Sequence, residues 1–218
     1  MTMPDTRLAR IGARRHLLAA ICLCAAWPAT LLAQPAGAPA AAPGVRLRGT
    51  IESLSSTRLV LRTRSGERVD LALPANLIVT EVYPVALAEV KDGSFIGVGA
   101  LPQPDGTQRA IAVTVFPEAM RGTGEGHRPF DYLPQSTMTN ATVAGLASAP
   151  DGRRLQLKYK DGEKTIVVPP EAPVVSLRPA TRDLLAQGAP VALTAQEVAG
   201  QPTATRISAG RDGFAPPY

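Results

Sequence analysis

Arg58-Leu59-Val60-Leu61-Arg62-Thr63-Arg64-Ser65-Gly66-Glu67-Arg68 is answered at a constant shift by Arg154-Leu155-Gln156-Leu157-Lys158-Tyr159-Lys160-Asp161-Gly162-Glu163-Lys164, with cation, apolar residue, glycine and carboxylate in the same order. In the first stretch Leu59, Leu61 and Thr63 alternate with Arg58, Val60, Arg62 and Arg64. In the second, Leu155, Leu157 and Tyr159 alternate with Arg154, Gln156, Lys158 and Lys160. Successive side chains of a strand point to opposite faces, so a period of two predicts half-buried strands. Ser65-Gly66 and Asp161-Gly162 sit where each strand must reverse, because glycine accepts the positive φ of a tight turn. A third strand follows in each copy, over residues 69–73 and 165–168.

Outward from this repeat, Pro84 to Gly93 and Pro179 to Gly188 have the same spacing. Proline suits the first turn of a helix and glycine the position just past its end, so residues 85–92 and 180–187 are predicted as short helical segments, with Val90 and Leu185 as anchors. Opening strands over 45–54 and 138–147 and closing strands over 94–101, 108–116, 189–196 and 202–208 complete the pattern. The closing pairs break at Asp105-Gly106 and Ala199-Gly200. Three strands, a helical turn and two strands is the order of an OB-type barrel, although other small Greek-key or SH3-like barrels fit the same periodicity. The expected fold is all-β, with two tandem small barrel-like (OB-like) units from an internal duplication, residues 45–116 and 138–210. A Gly/Pro-rich connector, 117–137, joins them, and residues 211–218 form a loose tail.

The start of the chain reads as an export signal. Arg7, Arg10, Arg14 and Arg15 precede an apolar run from Leu17 to Ala33 that ends in small residues, which places cleavage near Ala33-Gln34 and the protein in the periplasm or outside the cell. Arg14-Arg15 also fits a twin-arginine leader. Residues 34–44 are a Pro/Ala linker with little to bury. Cys22, Cys24, Trp27 and His16 all lie in the leader, so the mature chain holds one imidazole, His127, and no thiol. Such a chain relies on its hydrophobic core rather than on disulfides. The leader's four arginines and one aspartate account for most of the formal charge of +5, leaving +2. That removes the compositional support for a nucleic-acid partner. No transmembrane segment is expected after cleavage.

The connector gathers Glu118, Arg121, Glu125, His127, Arg128 and Asp131 where Pro117, Gly122, Gly124, Gly126 and Pro129 prevent a regular helix. Loops held by rigid scaffolds are frequent binding sites, so these six are candidate ligand-binding residues. The structural alternative is an interdomain clasp whose arginines pair with its own carboxylates. A zinc site typically draws on several His or Cys ligands, which one imidazole does not supply. His127 with Glu125 gives the hydrolytic alternative, without a nucleophile in a triad or elbow context. Gly122-Thr123-Gly124-Glu125-Gly126 lacks the Gly-Lys-Ser/Thr ending of a phosphate loop. A second candidate surface is the pair of cationic strands, Arg58, Arg62 and Arg64 with Arg154, Lys158 and Lys160, which suits an anionic polymer or an acidic envelope protein; a solvated strand face is the alternative.

Phe116-Pro117-Glu118-Ala119-Met120-Arg121-Gly122-Thr123-Gly124-Glu125-Gly126-His127-Arg128-Pro129-Phe130-Asp131, followed by Ser136-Thr137-Met138-Thr139-Asn140, resembles the signature of a bacterial exported family of unknown function. Some relatives in that family are labelled as metal-transporter permeases. The resemblance implies no known catalytic residue, and no cofactor is expected. Taken together, the sequence leads to an exported, non-enzymatic binding or scaffolding protein of the cell envelope, with a metal-binding protein or a hydrolase as the alternative.

Overall fold

The computed structural model describes residues 44–150 and 152–218. The expected export signal, and all of the linker except Gly44, lie outside the described residues. The strands in chain order are β1 (Val45–Leu54), β2 (Arg58–Thr63), β3 (Arg68–Ala72), β4 (Ile78–Pro84), β5 (Phe95–Pro102), β6 (Gln108–Val115), β7 (Gly126–Pro129), β8 (Thr137–Ala149), β9 (Gly152–Tyr159), β10 (Gly162–Val168), β11 (Val174–Ala180), β12 (Pro190–Val198) and β13 (Gln201–Ala209). The protein is all-β and barrel-like. Gly66 turns as expected, with φ of 86°, whereas the second reversal falls one residue earlier than expected, at Lys160-Asp161, and Gly162 opens β10 opposite Tyr159.

Pairing defines two five-stranded circuits. In the first, β1 lies between β2 and β12, β2 pairs with β3, and β12 pairs with β13. A parallel contact, Thr203 opposite Ala72, closes it. In the second, β8 lies between β9 and β5, β9 pairs with β10, and β5 pairs with β6. Ile166 and Val167 close this one in parallel against Gln108 and Arg109. In each circuit three consecutive strands of one half are completed by the last two strands of the other.

The cores follow the same exchange. Ile51, Leu59, Leu61 and Leu71 pack with Val191, Leu193 and Ile207, whereas Ile96, Val98 and Val113 pack with Leu155, Leu157 and Ile166. The halves read from the sequence, 45–116 and 138–210, therefore each contribute to both barrels. One barrel consists of chain from both ends of the described region, and the other is the continuous segment 85–174 inserted into it. The connector accordingly links β6 to β8 within a single barrel.

Two strands that the alternation did not single out, β4 and β11, carry the chain between barrels. They pair antiparallel with each other, Glu81 opposite Arg178, and each also runs parallel to a barrel strand, β4 to β13 and β11 to β6. Glu81 is buried at the centre of this strap, where Arg178 (2.6 Å) and Arg211 (3.0 Å) compensate its charge. Arg178, against the cost of burial and with help from Arg211, holds the Glu81 carboxyl below its ordinary pKa. The predicted helices over 85–92 and 180–187 shrink to single 3-10 turns, Leu87–Glu89 and Arg182–Leu184. Backbone on both sides of each turn is extended, at Ala86 and Val90 in the first and at Thr181 and Leu185 in the second, so neither helix propagates beyond one turn. Val90 and Leu185 are nonetheless buried, as expected of anchors.

Candidate functional site

The connector splits into pieces with separate tasks. Glu118 and Arg121 pair with each other on a 3-10 turn, and Arg121 also donates to the Gly93 carbonyl. Glu125 accepts from the backbone N–H of Lys160 at 3.1 Å, tying the connector to the β9–β10 hairpin. His127 lies on β7, its Nδ1 2.8 Å from Thr139 Oγ1 and its ring stacked near Tyr159. Burial, and secondarily the charge of Lys164, push its pKa below the ordinary histidine value. Arg128 donates to the Gly124 carbonyl at 2.7 Å. The structure thus does not gather the six candidate residues into one cluster, and among the described residues no three His, Cys, Asp or Glu side chains converge.

Asp131 reaches furthest. It accepts from Arg48 at 2.9 Å and lies 3.7 Å from Arg46, both on β1 of the other barrel. Its neighbours lock into the same strand and the next. The Phe130 ring lies under Arg46 and Arg48, and Tyr132 lies under Arg48 and Arg64. Ser136, itself buried, fixes this turn by donating to the Phe130 and Leu133 carbonyls. Phe130-Asp131-Tyr132 is therefore a contact between barrels, made with arginines outside the connector rather than with its own. Burial raises the Asp131 pKa, but the Arg48 hydrogen bond and the charges of Arg48 and Arg46 outweigh it and leave the carboxyl below its ordinary value.

A carboxyl depressed in the fold stabilises it above the unfolded pKa and ceases to do so as pH falls through the folded one. Asp131→Asn is expected to lower the melting temperature at neutral pH and to shrink the loss between about pH 5 and pH 3. Parallel melting curves for both proteins over that range would remove Asp131 from the acid response.

The cationic strands are largely neutralised in the first half. Arg58 bridges Asp70 (2.9 Å), Arg62 bridges Glu52 (3.0 Å), and Arg64 covers Tyr132. In the second half Lys158 and Lys160 are exposed, and Arg154 acts on Asp105 electrostatically. The six cations do not form one continuous surface of free charge.

The best-formed concavity is a groove of about 240 Å³ between the barrels, under the strap. Leu47, Val82, Met138, Val175, Leu177 and Leu193 contribute its apolar lining, and Arg46, Arg48, Arg128 and Arg206 are its charged residues. β5 makes room for it. Ile96, Val98 and Ala100 point into the barrel core, while Gly97 and Gly99 present no side chain to the other face. A Cβ on Gly97 would lie 2.8 Å from Asn140 Oδ1 and 2.9 Å from the Phe116 ring; one on Gly99 would lie 3.0 Å from the Tyr218 ring. The closing residues dock here too. Pro216, Pro217 and Tyr218 line the groove, and the Tyr218 hydroxyl meets Thr114 Oγ1 at 2.9 Å. Tyr218 packs edge-on against Phe130 and Tyr132. Burial, opposed by the Thr114 bond, pushes its pKa up to about 12.

Of the sequence candidates only Arg128 lines this groove. Arg46, Arg48, Asn140, Arg206 and Tyr218 escaped the sequence reading. The available signal was Gly97-Val98-Gly99, since alternate glycines in a buried strand mark a close approach of other groups. No family model, curated protein or solved structure matches the chain. No helix among the described residues is long and apolar enough to cross a membrane.

Proposed function

We propose that this is an exported, non-catalytic binding protein of the cell envelope, whose ligand occupies the groove between the two barrels. The carrying observation is the groove itself, an apolar concavity with four arginines and no Asp or Glu side chain in its lining among the described residues. Binding sites combine this kind of apolar surface with a few placed polar groups. The leader composition and the resemblance of residues 116–131 to an exported family support the envelope assignment. The separate engagements of His127, Glu125 and Glu118 favour binding over the hydrolytic or metal-binding reading, because those chemistries need such groups to converge.

The test is to fill the groove. Ala192 lines it from β12 and is half-buried, so Ala192→Trp places an indole in the space without opening either core. The wild-type protein is expected to bind an environment-sensitive naphthalene dye, and Ala192→Trp to weaken that binding about tenfold with little change in melting temperature. A folded Ala192→Trp protein that binds the dye as before would place the ligand elsewhere.

A further inference from the structure

The polar groups of the groove specify more than a cavity. Asp131 is committed to Arg48 and Arg46, which leaves Arg128 and Arg206 without a carboxylate partner among the described residues. Arg128 is also the less comfortable cation, since burial and then the nearby charge of Arg46 both disfavour its protonated form. Close to it is a buried amide. Asn140 is 5 % exposed, and its Nδ2 donates to the Thr123 carbonyl at 2.9 Å. That bond fixes which way the amide faces, so Oδ1 is the atom directed towards Gly97, and it accepts no hydrogen bond. An unpaired buried acceptor is costly, and a donor supplied from the groove removes the cost. Gly124 brings the two groups together: a Cβ there would lie 3.3 Å from both Arg128 Nη2 and Asn140 Nδ2.

We propose that the groove takes a small amphiphilic acid with a hydroxyl or amide N–H close to its acid group, the simplest form being a medium-chain 3-hydroxyalkanoate. The acid faces Arg128 and Arg206, the donor faces Asn140 Oδ1, and the hydrocarbon lies along Leu47, Val82, Leu177 and Met138. At about 30 Å³ per water in the liquid, the cavity has space for about eight waters or for a ligand of about ten heavy atoms. This inference rests on the groove being the binding site.

Calorimetric titration of the purified protein with 3-hydroxyoctanoate, octanoate and 1-octanol tests it. Affinity is expected to fall in that order, by about threefold or more for loss of the hydroxyl and about tenfold or more for loss of the acid. Arg128→Gln is expected to erase most of the acid's advantage and to leave 1-octanol unaffected. Arg206→Gln is expected to do the same, and its exposed side chain forms no ion pair with the described residues, so this variant remains informative should Arg128→Gln fail to fold. Equal binding of octanoate and 1-octanol, no gain from the hydroxyl, or an acid advantage that survives both substitutions overturns the proposal. Dye binding that Ala192→Trp abolishes, with no binding of the three probes, overturns the ligand class alone. Absence of dye binding as well overturns the groove reading beneath it.

Discussion

Residues 85–174 expressed alone are expected to fold, whereas residues 138–210 are expected to remain unfolded as a monomer. The shorter-range logic of a duplicated chain points the other way, since 138–210 holds every element of one sequence half. Its strands nevertheless belong to two barrels. Leu155, Leu157 and Ile166 pack on Ile96, Val98 and Val113, which the fragment lacks, and Leu193 and Ile207 pack on Leu59 and Leu61, also lacking. To close on itself the fragment would have to abandon the extended β11 that carries the chain from one barrel to the other. The segment 85–174 instead carries β5, β6, β8, β9 and β10, both sides of the parallel closure, and every buried residue of that core from Val90 to Val174. Circular dichroism and amide-proton dispersion read the outcome. A cooperatively folded, monomeric 138–210 would mean that the exchange of strands is not what completes each barrel.

Why the exchange was hidden follows from what alternation encodes. The pattern around Leu59 and Leu155 reports which face of a strand is buried, and both residues are indeed fully buried. It carries no information on which distant strand covers that face. Hairpins were legible because each has local turn chemistry, Ser65-Gly66 in the first and Asp161 beside Gly162 in the second, where the turn itself is Lys160-Asp161. The strap strands were not, because Pro84 and Pro179 read as helix starts. In the fold Pro84 ends β4, and Pro179 stands within β11 opposite Thr80. The groove was the least legible feature of all. Its walls come from β1, from the strap strands β4 and β11, from β5 to β8, from β12 and β13, and from the closing residues, so no contiguous stretch contains its chemistry. The connector, rich in charge and therefore conspicuous, distributes its charges over separate anchoring bonds, and of its charged residues Arg128 alone lines the groove.

The insertion of one barrel into the other predicts an asymmetry in how core damage spreads. Leu59→Ala and Leu155→Ala remove equivalent, fully buried side chains, and each is expected to cost about 3 kcal/mol in the barrel it occupies. For a unit of one barrel's size that corresponds to a fall of about 12–24 °C in its melting temperature. The barrel containing Leu155 is continuous in sequence and closes without help. The barrel containing Leu59 is assembled from two ends of the chain, and the folded insert is what holds those ends together. Once the insert unfolds, closing the outer barrel means closing a flexible loop of roughly ninety residues, an added cost of about 4 kcal/mol. Damage at Leu155 therefore propagates outward, and damage at Leu59 does not propagate inward. Hydrogen exchange followed by mass spectrometry distinguishes the two. In Leu59→Ala, amides of β2, β12 and β13 are expected to lose protection while those of β9 and β10 keep it; in Leu155→Ala, both sets are expected to lose it together. Protection lost equally in both barrels by both substitutions would instead make the two barrels one cooperative unit, with the strap pair of Glu81 and Arg178 coupling them more strongly than the chain connectivity does.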